Sequence, residues 1–202
     1  ITFLYDVLPC VLIIYFVVPR KFKNLVLLLA SLVFYAWGEP KYVVLMIASI
    51  LIGYVSGLLI EAFSQKKISK LFLWLSVGIN IGFLAYFKYA DFFIENFNAL
   101  TGLGIPFLRI ALPIGISFYT FQILSYTVDV YRGIPAQKSV INLAAYITMF
   151  PQLIAGPIVR YTDIANELGE RTHSLDKFAE GARRFIIGLS KKILIANVLG
   201  EL

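Results

Sequence analysis

The stretch from Phe150 to Tyr161 reads FPQLIAGPIVRY and interrupts an apolar segment that would otherwise continue as a helix. Its two prolines and its glycine break a regular helix, because proline lacks a backbone donor and clashes with the preceding turn. In hydrocarbon, an interrupted backbone is tolerated only where protein buries it or where it lines a water-filled cavity. Gln152 and Arg160 bring polar groups to the same place. We therefore predict a re-entrant or broken-helix segment that lines a site, the alternative being an ordinary loop at the membrane surface.

The composition places the whole chain in a membrane. Hydrophobic residues make up 59% of it, charged residues 15%, and the mean hydropathy is +0.82. These values exclude a soluble domain of this length and indicate a polytopic membrane protein. The net charge of +6 could attract nucleic acid. Because the cations cluster between apolar stretches, as in cytoplasmic loops, we expect the lipid bilayer as partner and no nucleic acid.

Cysteine and histidine are too scarce for several kinds of site. Cys10 is the only cysteine, which excludes an intrachain disulfide. His173 is the only histidine, and it lies in a polar link just before a helix. We therefore predict no metal site, and a solvated or capping role for His173.

The apolar stretches and the cations between them predict a topology. Four candidate spans precede residue 90, at residues 3–18, 25–37, 42–63 and 71–87. Cations are concentrated at Arg20–Lys23 and Lys66–Lys70, and the turn between these loops, Gly38–Lys41, is only weakly charged. The positive-inside rule then places both basic loops in the cytoplasm and the N-terminus outside. Residues 91–100 are predicted to form a separate short interfacial helix.

Two glycines in the third span predict a close helix contact. Gly53 and Gly57 form a Gly-x-x-x-Gly pattern, which lets two backbones approach each other. In a polytopic bundle this pattern indicates tight internal packing more often than dimerisation.

A helix predicted from Pro113 to about Tyr131 carries a polar face. At about 100° per residue, one face holds Gly115, Tyr119, Gln122, Tyr126 and Asp129, with Ser125 at its edge. Such a face does not suit lipid, so it lines a cavity or forms a hydrogen-bonded seam against another helix. Both possibilities stay open from the sequence. For Asp129 a third is an ion pair with Arg132, three residues further on. Thr120 and Thr127 lie off this face, where their hydroxyls are expected to bond the helix's own carbonyls.

The last forty residues change in character. Charged residues from Asp163 to Arg171 predict a solvated connection, and Ser174 is a good N-cap for the helix that follows. That helix places Phe178, Phe185 and other apolar side chains on one face, with lysines and arginines around it. A basic amphipathic helix of this kind lies in the membrane interface or skirts a bundle.

Several strings of residues resemble one family. They are FYAWG (34–38), YFKYA (86–90), LPIGISFY (112–119), LSYTVDVYRG (124–133), FPQLIAGP (150–157) with Arg160, RTHSLDKFAEG (171–181) and the Lys191-Lys192 region. In this order they are similar to the membrane-bound O-acyltransferase (MBOAT) family, in its alginate O-acetyltransferase branch. The resemblance covers nearly the whole chain, although Gly53 and Asn197 stand where the branch suggests asparagine and aspartate.

The resemblance implies an all-α, polytopic transmembrane bundle that passes an acyl group through a tunnel. The donor would be a cytoplasmic thioester, acetyl-CoA or another, with no bound cofactor. The acceptor would be an extracytoplasmic polysaccharide, reached with a separate periplasmic acetyltransferase, and the location would be the bacterial inner membrane. The tunnel-lining candidates are Tyr119, Gln122, Tyr126, Asp129, Gln152 and Arg160.

The resemblance also implies a catalytic histidine in a Trp-Arg-x-Trp-His-like motif. That motif does not occur in these residues, and His173 belongs to a different string, so no catalytic residue is assigned. We expect residues 1–202 to be a single transmembrane domain, the N-terminal part of a longer MBOAT-like domain. A transporter or channel, and a non-catalytic scaffold subunit, are the alternatives, because broken helices and buried polar residues also suit a transporter.

Overall fold

The computed structural model describes residues 3–153, 156 and 159–200, and these residues contain no β-strand. The α-helices, in chain order, are α1 (Leu8–Val17), α2 (Lys23–Gly38), α3 (Val43–Ala62), α4 (Ile68–Thr101), α5 (Ile116–Tyr131), α6 (Val140–Thr148), α7 (Phe150–Leu153), α8 (Tyr161–Gly169), α9 (Leu175–Lys191) and α10 (Val198–Gly200). Short 3-10 turns precede α2 and α3, and π-helical turns cover Phe3–Val7 and Lys192–Asn197. The chain divides into two compact units, Ile1–Leu168 and Gly169–Leu202. The all-α prediction is confirmed.

Among the described residues, three helical segments are long and apolar enough to cross a membrane. They are Arg20–Gly38, Pro40–Ala62 and Ile68–Thr101, with 19, 23 and 34 residues. The first predicted span appears as a shorter apolar helix, Tyr5–Val17, below the usual crossing length of about 20 residues. The chain is thus a helical membrane protein, as its composition predicts.

The fourth span differs from the prediction, because α4 continues without a break through the residues assigned to a separate interfacial helix. No proline or glycine lies between Phe87 and Thr101, so nothing interrupts the intrahelical hydrogen bonds. The helix ends at Gly102, whose φ of 72° is left-handed and whose N–H donates to Asn98 O at 2.8 Å. Its 34 residues extend about 50 Å, well beyond the ~30 Å of hydrocarbon.

The two glycines of α3 pack against α5, as predicted. A Cβ on Gly53 would lie 2.7 Å from Cγ2 of Ile123, and one on Gly57 would lie 2.7 Å from ring carbons of Tyr126. Both separations are shorter than van der Waals contact, so a side chain at either glycine would force Ile123 or Tyr126 to shift. The Gly-x-x-x-Gly pattern therefore serves internal packing.

The acidic side chains of Asp163, Glu167 and Glu170 are exposed, as predicted for a solvated connection, but most of this segment forms a helix that the sequence did not predict. Residues Tyr161–Gly169 form α8, in which Tyr161 and Leu168 are only 3% and 5% exposed. Ile164 and Ala165 pack against the same core, so the apolar residues recur at helical spacing. Four charged residues between Asp163 and Arg171 obscured this pattern in the sequence.

The predicted topology can be tested with single cysteines. In a Cys10→Ser background, Glu39→Cys should react with a membrane-impermeant thiol reagent on intact cells, whereas Phe22→Cys and Lys67→Cys should react only after lysis. The reason is that Arg20–Lys23 and Lys66–Lys70 concentrate cations on one side. Labelling of Lys67→Cys without labelling of Glu39→Cys on intact cells would invert the assignment.

Candidate functional site: a buried polar face beside a re-entrant hairpin

Helix α5 begins three residues after the predicted start. Pro113 lies in a turn, where its carbonyl accepts the Ile116 N–H at 3.2 Å, and Gly115 adopts a φ of 74° directly before the helix. A Cβ on Gly115 would lie 2.7 Å from the carbonyl oxygen of Leu153. Glycine is required here for both reasons, because the left-handed conformation strains other residues and α7 leaves no room.

The other end of α5 is closed as the sequence predicts. Gly133 has a φ of 104°, its N–H donates to Val130 O at 3.0 Å, and the Ile134 N–H donates to Asp129 O at 3.1 Å. This pair of bonds satisfies carbonyls that the last turn of a helix leaves without partners. The helix therefore has defined ends, which fix the positions of the polar side chains between them.

The predicted polar face is buried along its whole length. Tyr119, Gln122, Tyr126 and Asp129 are 1%, 1%, 0% and 8% exposed. Thr120 and Thr127 are buried as well, so the bundle surrounds α5 on more sides than the sequence suggests. The Thr127 hydroxyl donates to the carbonyls of Ile123 and Leu124, both at 3.1 Å, as expected.

Three oxygen atoms on this face have no hydrogen-bond partner in the described part of the chain. They are Tyr119 Oη, Gln122 Oε1 and Asp129 Oδ2. The Asp129–Arg132 ion pair is not formed among the described residues, and the Arg132 side chain is exposed. Buried polar atoms in proteins almost always have a partner in the protein or in ordered water. Unpartnered atoms in a row on one helix face therefore indicate a place for water, substrate or another polar group.

Tyr126 differs from the rest of the face because its hydroxyl is occupied. Its Oη accepts the Gln137 N–H at 3.2 Å, and its ring meets the ring of Tyr161 edge-on at 4.9 Å. Here the polar face forms a seam with neighbouring segments. The seam predicted for this face thus applies to Tyr126, whereas the unpartnered oxygens remain available to line a cavity.

Hydrogen bonds to α2 define a re-entrant hairpin formed by α6, α7 and α8. Asn24, at the start of α2, donates through Nδ2 to Asn142 Oδ1 at 2.7 Å and to Leu168 O at 2.8 Å. The start of α6 and the end of α8 therefore lie together at one end of α2. Ser31 Oγ accepts the Phe150 N–H at 3.2 Å, which places the interruption about 10 Å further along α2. The chain thus enters the bundle, breaks and returns to the same end.

Side chains replace the backbone bonds that the interruption removes. In a continuous helix the Phe150 N–H would donate to Tyr146 O. Instead Ser31 accepts that N–H, and Gln152 Nε2 donates to Tyr146 O at 2.8 Å. The hydroxyl of Tyr146 donates to Val159 O at 2.7 Å, which links the two arms. The predicted break in the helix is confirmed for the described residues, and Phe150 and Leu153 beside it are buried.

The two polar candidates of this hairpin have different surroundings. The Gln152 amide is engaged with the backbone and its side chain is half-buried, whereas Arg160 is exposed. Residues 154, 155, 157 and 158 lie outside the described residues, and Pro157, one of the predicted helix breakers, is among them. Arg160 is exposed whereas the unpartnered oxygens of α5 are buried, so they do not belong to one buried cluster.

A small cavity opens at the Gly38 end of α2. It has a volume of about 200 Å³ and is lined by Phe34, Tyr35, Trp37, Gly38, Glu39 and Ile114. Tyr35 is 2% exposed, and its Oη also lacks a partner in the described part of the chain. The cavity is next to the start of α5, since Ile114 precedes that helix.

Sequence reasoning missed Asn24, Ser31, Tyr35 and Tyr146. A signal was present for two of them, because polar residues at 24 and 31 lie seven residues apart and share one face of an apolar helix. Among the described residues, no group of histidine, cysteine and acidic side chains could hold a metal ion. His173 is exposed and belongs to the second unit, where Ser174 Oγ caps α9 by accepting the Lys177 N–H at 3.2 Å.

Comparison with known proteins finds close relatives. The chain is 43% identical to the "Probable alginate O-acetylase AlgI" of Pseudomonas syringae pv. tomato, over 98% of this chain and 39% of that protein. The protein of the same name from Azotobacter vinelandii is 44% identical over 99% of the chain and 41% of its own length. A "Peptidoglycan O-acetyltransferase" of Helicobacter pylori is 31% identical over 96% and 43%.

The chain spans about two fifths of the length of the curated relatives that it matches. No family model matches the chain. No solved structure matches it either.

Proposed function

We propose that the chain, which is similar along nearly its whole length to the AlgI-type O-acetylases, forms part of a membrane O-acetyltransferase. The activity is attributed to the complete protein. This chain corresponds to about two fifths of the length of its relatives. Within this proposal, residues 1–202 are the N-terminal part of a larger MBOAT-like transmembrane domain in the bacterial inner membrane.

The proposed reaction moves an acetyl group from a cytoplasmic thioester, with acetyl-CoA as the expected donor. The thioester C–S bond breaks, the thiol leaves with a proton, and the acetyl group is finally esterified to a hydroxyl outside the cytoplasm. Water inside the site would compete with the acceptor hydroxyl for the activated acyl group, so a passage enclosed by the bundle favours transfer over hydrolysis. Names of the relatives include alginate and peptidoglycan O-acetylation, so the proposed acceptor is an extracytoplasmic polysaccharide. A separate extracytoplasmic acetyltransferase would complete the transfer.

The observation that supports the passage is the row of unpartnered oxygens on α5. Tyr119 Oη, Gln122 Oε1 and Asp129 Oδ2 are buried, lie on one helix face and lack partners among the described residues. A purely structural seam would pair these atoms, as it pairs the hydroxyl of Tyr126. Unpaired polar atoms at membrane depth are costly and are retained where they contact water or a polar substrate. We assign this row to the wall of the acyl passage.

Gln122→Leu in the complete protein tests this assignment. The substitution keeps the side-chain size but removes the polar atoms, so acetyl transfer from a thioester supplied on the cytoplasmic side should fall about tenfold or more. The midpoint of thermal unfolding in detergent should not fall, because Oε1 has no partner to lose in the described structure. Both quantities are measured on the same preparations.

Thr127→Val is the matched control. It also removes a buried polar atom from α5, but the Thr127 hydroxyl bonds only carbonyls of its own helix. Its transfer rate should remain at the wild-type level. A Gln122→Leu protein that unfolds more easily by about 1 kcal/mol and keeps its specific activity would instead show that Gln122 belongs to a structural seam.

A further inference from the structure

Helix α9 separates apolar from charged side chains along its length. At about 100° per residue, one arc carries apolar residues, namely Leu175, Ala182, Phe185, Ile186 and Leu189. The opposite side carries Asp176, Lys177, Glu180, Arg184 and Lys191, with Arg183 at its margin. Ile187 is the apolar exception on the charged side. Ser174 fixes where the helix begins, so this separation is defined by a capped helix and not by a frayed segment.

The apolar arc of α9 is uncovered in its own unit. Leu175 is 87% exposed, Ile186 is 61% exposed and Phe185 is 49% exposed, and no described residue from Leu175 to Gly200 is buried. Apolar side chains at this density are not stable against water. They require either a lipid environment or a protein surface.

The charged side has an excess of cations without acidic partners. Glu180 accepts a hydrogen bond from Arg184, which neutralises one acid–base pair. Arg183 and Lys191 on this helix, and Lys192 in the π-helical turn that follows it, form no ion pair with any described residue. The segment as a whole therefore remains positively charged, which complements an anionic surface.

Chain connectivity determines which side of the membrane the helix starts on. The Leu168 carbonyl is bonded to Asn24, which directly follows the basic residues Arg20–Lys23 at the cytoplasmic end of α2. Only residues 169–174 separate Leu168 from the first residue of α9. The cytoplasmic leaflet is the one that carries anionic lipid and attracts polybasic segments.

We propose that α9 lies in the plane of the cytoplasmic leaflet and binds anionic phospholipid headgroups through Arg183, Lys191 and Lys192. Its apolar arc is inserted at the boundary between headgroups and acyl chains. The inference goes beyond acetyl transfer and does not depend on it, because it follows from charge, exposure and topology alone. The excess positive charge favours lipid headgroups over the alternative that α9 packs along a protein bundle.

Spin labels on the complete protein in nanodiscs test the proposal. In a background in which Cys10 and any other cysteine of the complete protein are replaced by serine, Ile186→Cys reports the apolar arc and Gly188→Cys the opposite side, where an added Cβ meets nothing within 4 Å. In phosphatidylglycerol-rich nanodiscs, the label at 186 should be accessible to oxygen and shielded from a water-soluble nickel complex, with the reverse at 188. In phosphatidylcholine nanodiscs the label at 186 should become more accessible to the nickel complex.

The triple variant Arg183→Gln/Lys191→Gln/Lys192→Gln provides the charge test. Each cation near an anionic surface contributes about fivefold to partitioning, so the insertion equilibrium should fall ~100-fold. Lys66→Gln/Lys67→Gln/Lys70→Gln removes the same charge from another loop and should leave the label at 186 inserted. A label at 186 shielded from both reagents in every lipid would overturn the proposal in favour of a protein contact. Insertion that depends neither on lipid charge nor on the triple substitution would also overturn the proposal.

Discussion

Gly57→Ala should destabilise the folded protein, while Gly82→Ala should stabilise it slightly. A Cβ at position 57 would overlap ring carbons of Tyr126, which is fully buried and bonded to Gln137, so the ring has no room to withdraw. Overpacking of this kind costs about 1–3 kcal/mol. At position 82 an added Cβ meets nothing within 4 Å, and the same substitution improves helix propensity by up to ~1 kcal/mol. Both glycines lie inside apolar helices, so they form a matched pair.

Thermal unfolding of the complete protein in detergent measures these opposite effects. In a double-mutant cycle, Gly57→Ala should cost less in a Tyr126→Leu background than in the wild type, because a smaller side chain at 126 makes room for the added methyl group. Equal and small changes at positions 57 and 82 would show that α3 and α5 do not pack through Gly57. The Gly-x-x-x-Gly pattern would then be available for association between molecules.

Asp129→Asn should raise stability and lower activity together. Asp129 is 8% exposed and its Oδ2 lacks a partner in the described part of the chain. A neutral amide is less costly to bury than a carboxylate with an unpartnered oxygen, so the midpoint of thermal unfolding should rise. If the carboxylate serves the acyl passage, acetyl transfer should fall about 100-fold, the loss typical of removing one preorganised polar group.

The combination of the two measurements separates a working residue from a structural one. A structural carboxylate would lose hydrogen bonds on substitution, so the protein would become less stable while each folded molecule kept its rate. Arg132→Gln is the control, because the exposed Arg132 forms no ion pair with Asp129 among the described residues and should affect neither quantity. Loss of activity in Arg132→Gln would indicate that the two side chains pair during the reaction.

Much of the fold follows from local sequence. Runs of apolar residues about as long as the hydrocarbon is thick predict the membrane spans, because an unsatisfied backbone cannot cross lipid. Gly53 and Gly57 predict the tight contact of α3, and Ser174 predicts the start of α9, since each depends on the residue itself and its nearest neighbours. The errors arise where the local signal conflicts with packing. The charged residues of α8 obscured its helical pattern in the sequence. The prediction ended α4 at the bilayer boundary, although the helix continues beyond it.

The candidate site was predictable only in part. Spacing along one helix identifies Tyr119, Gln122, Tyr126 and Asp129 as one face, and their burial agrees with it. Spacing does not determine which of them has a partner. Tyr126 is paired by Gln137 from the following loop, whereas the oxygens named at Tyr119, Gln122 and Asp129 are not paired within the described residues.

The sequence by itself determined that this is a helical membrane protein with an interrupted segment at Phe150–Tyr161, because hydropathy and proline chemistry act over a few residues. Only the tertiary structure decided that this segment turns back. Asn24 bonds Asn142 and the Leu168 carbonyl, and Ser31 accepts the Phe150 N–H, across 118, 144 and 119 residues. From the sequence, a polar side chain on an apolar helix can be expected to need a hydrogen-bond partner. Which distant backbone group supplies that partner depends on how the helices assemble.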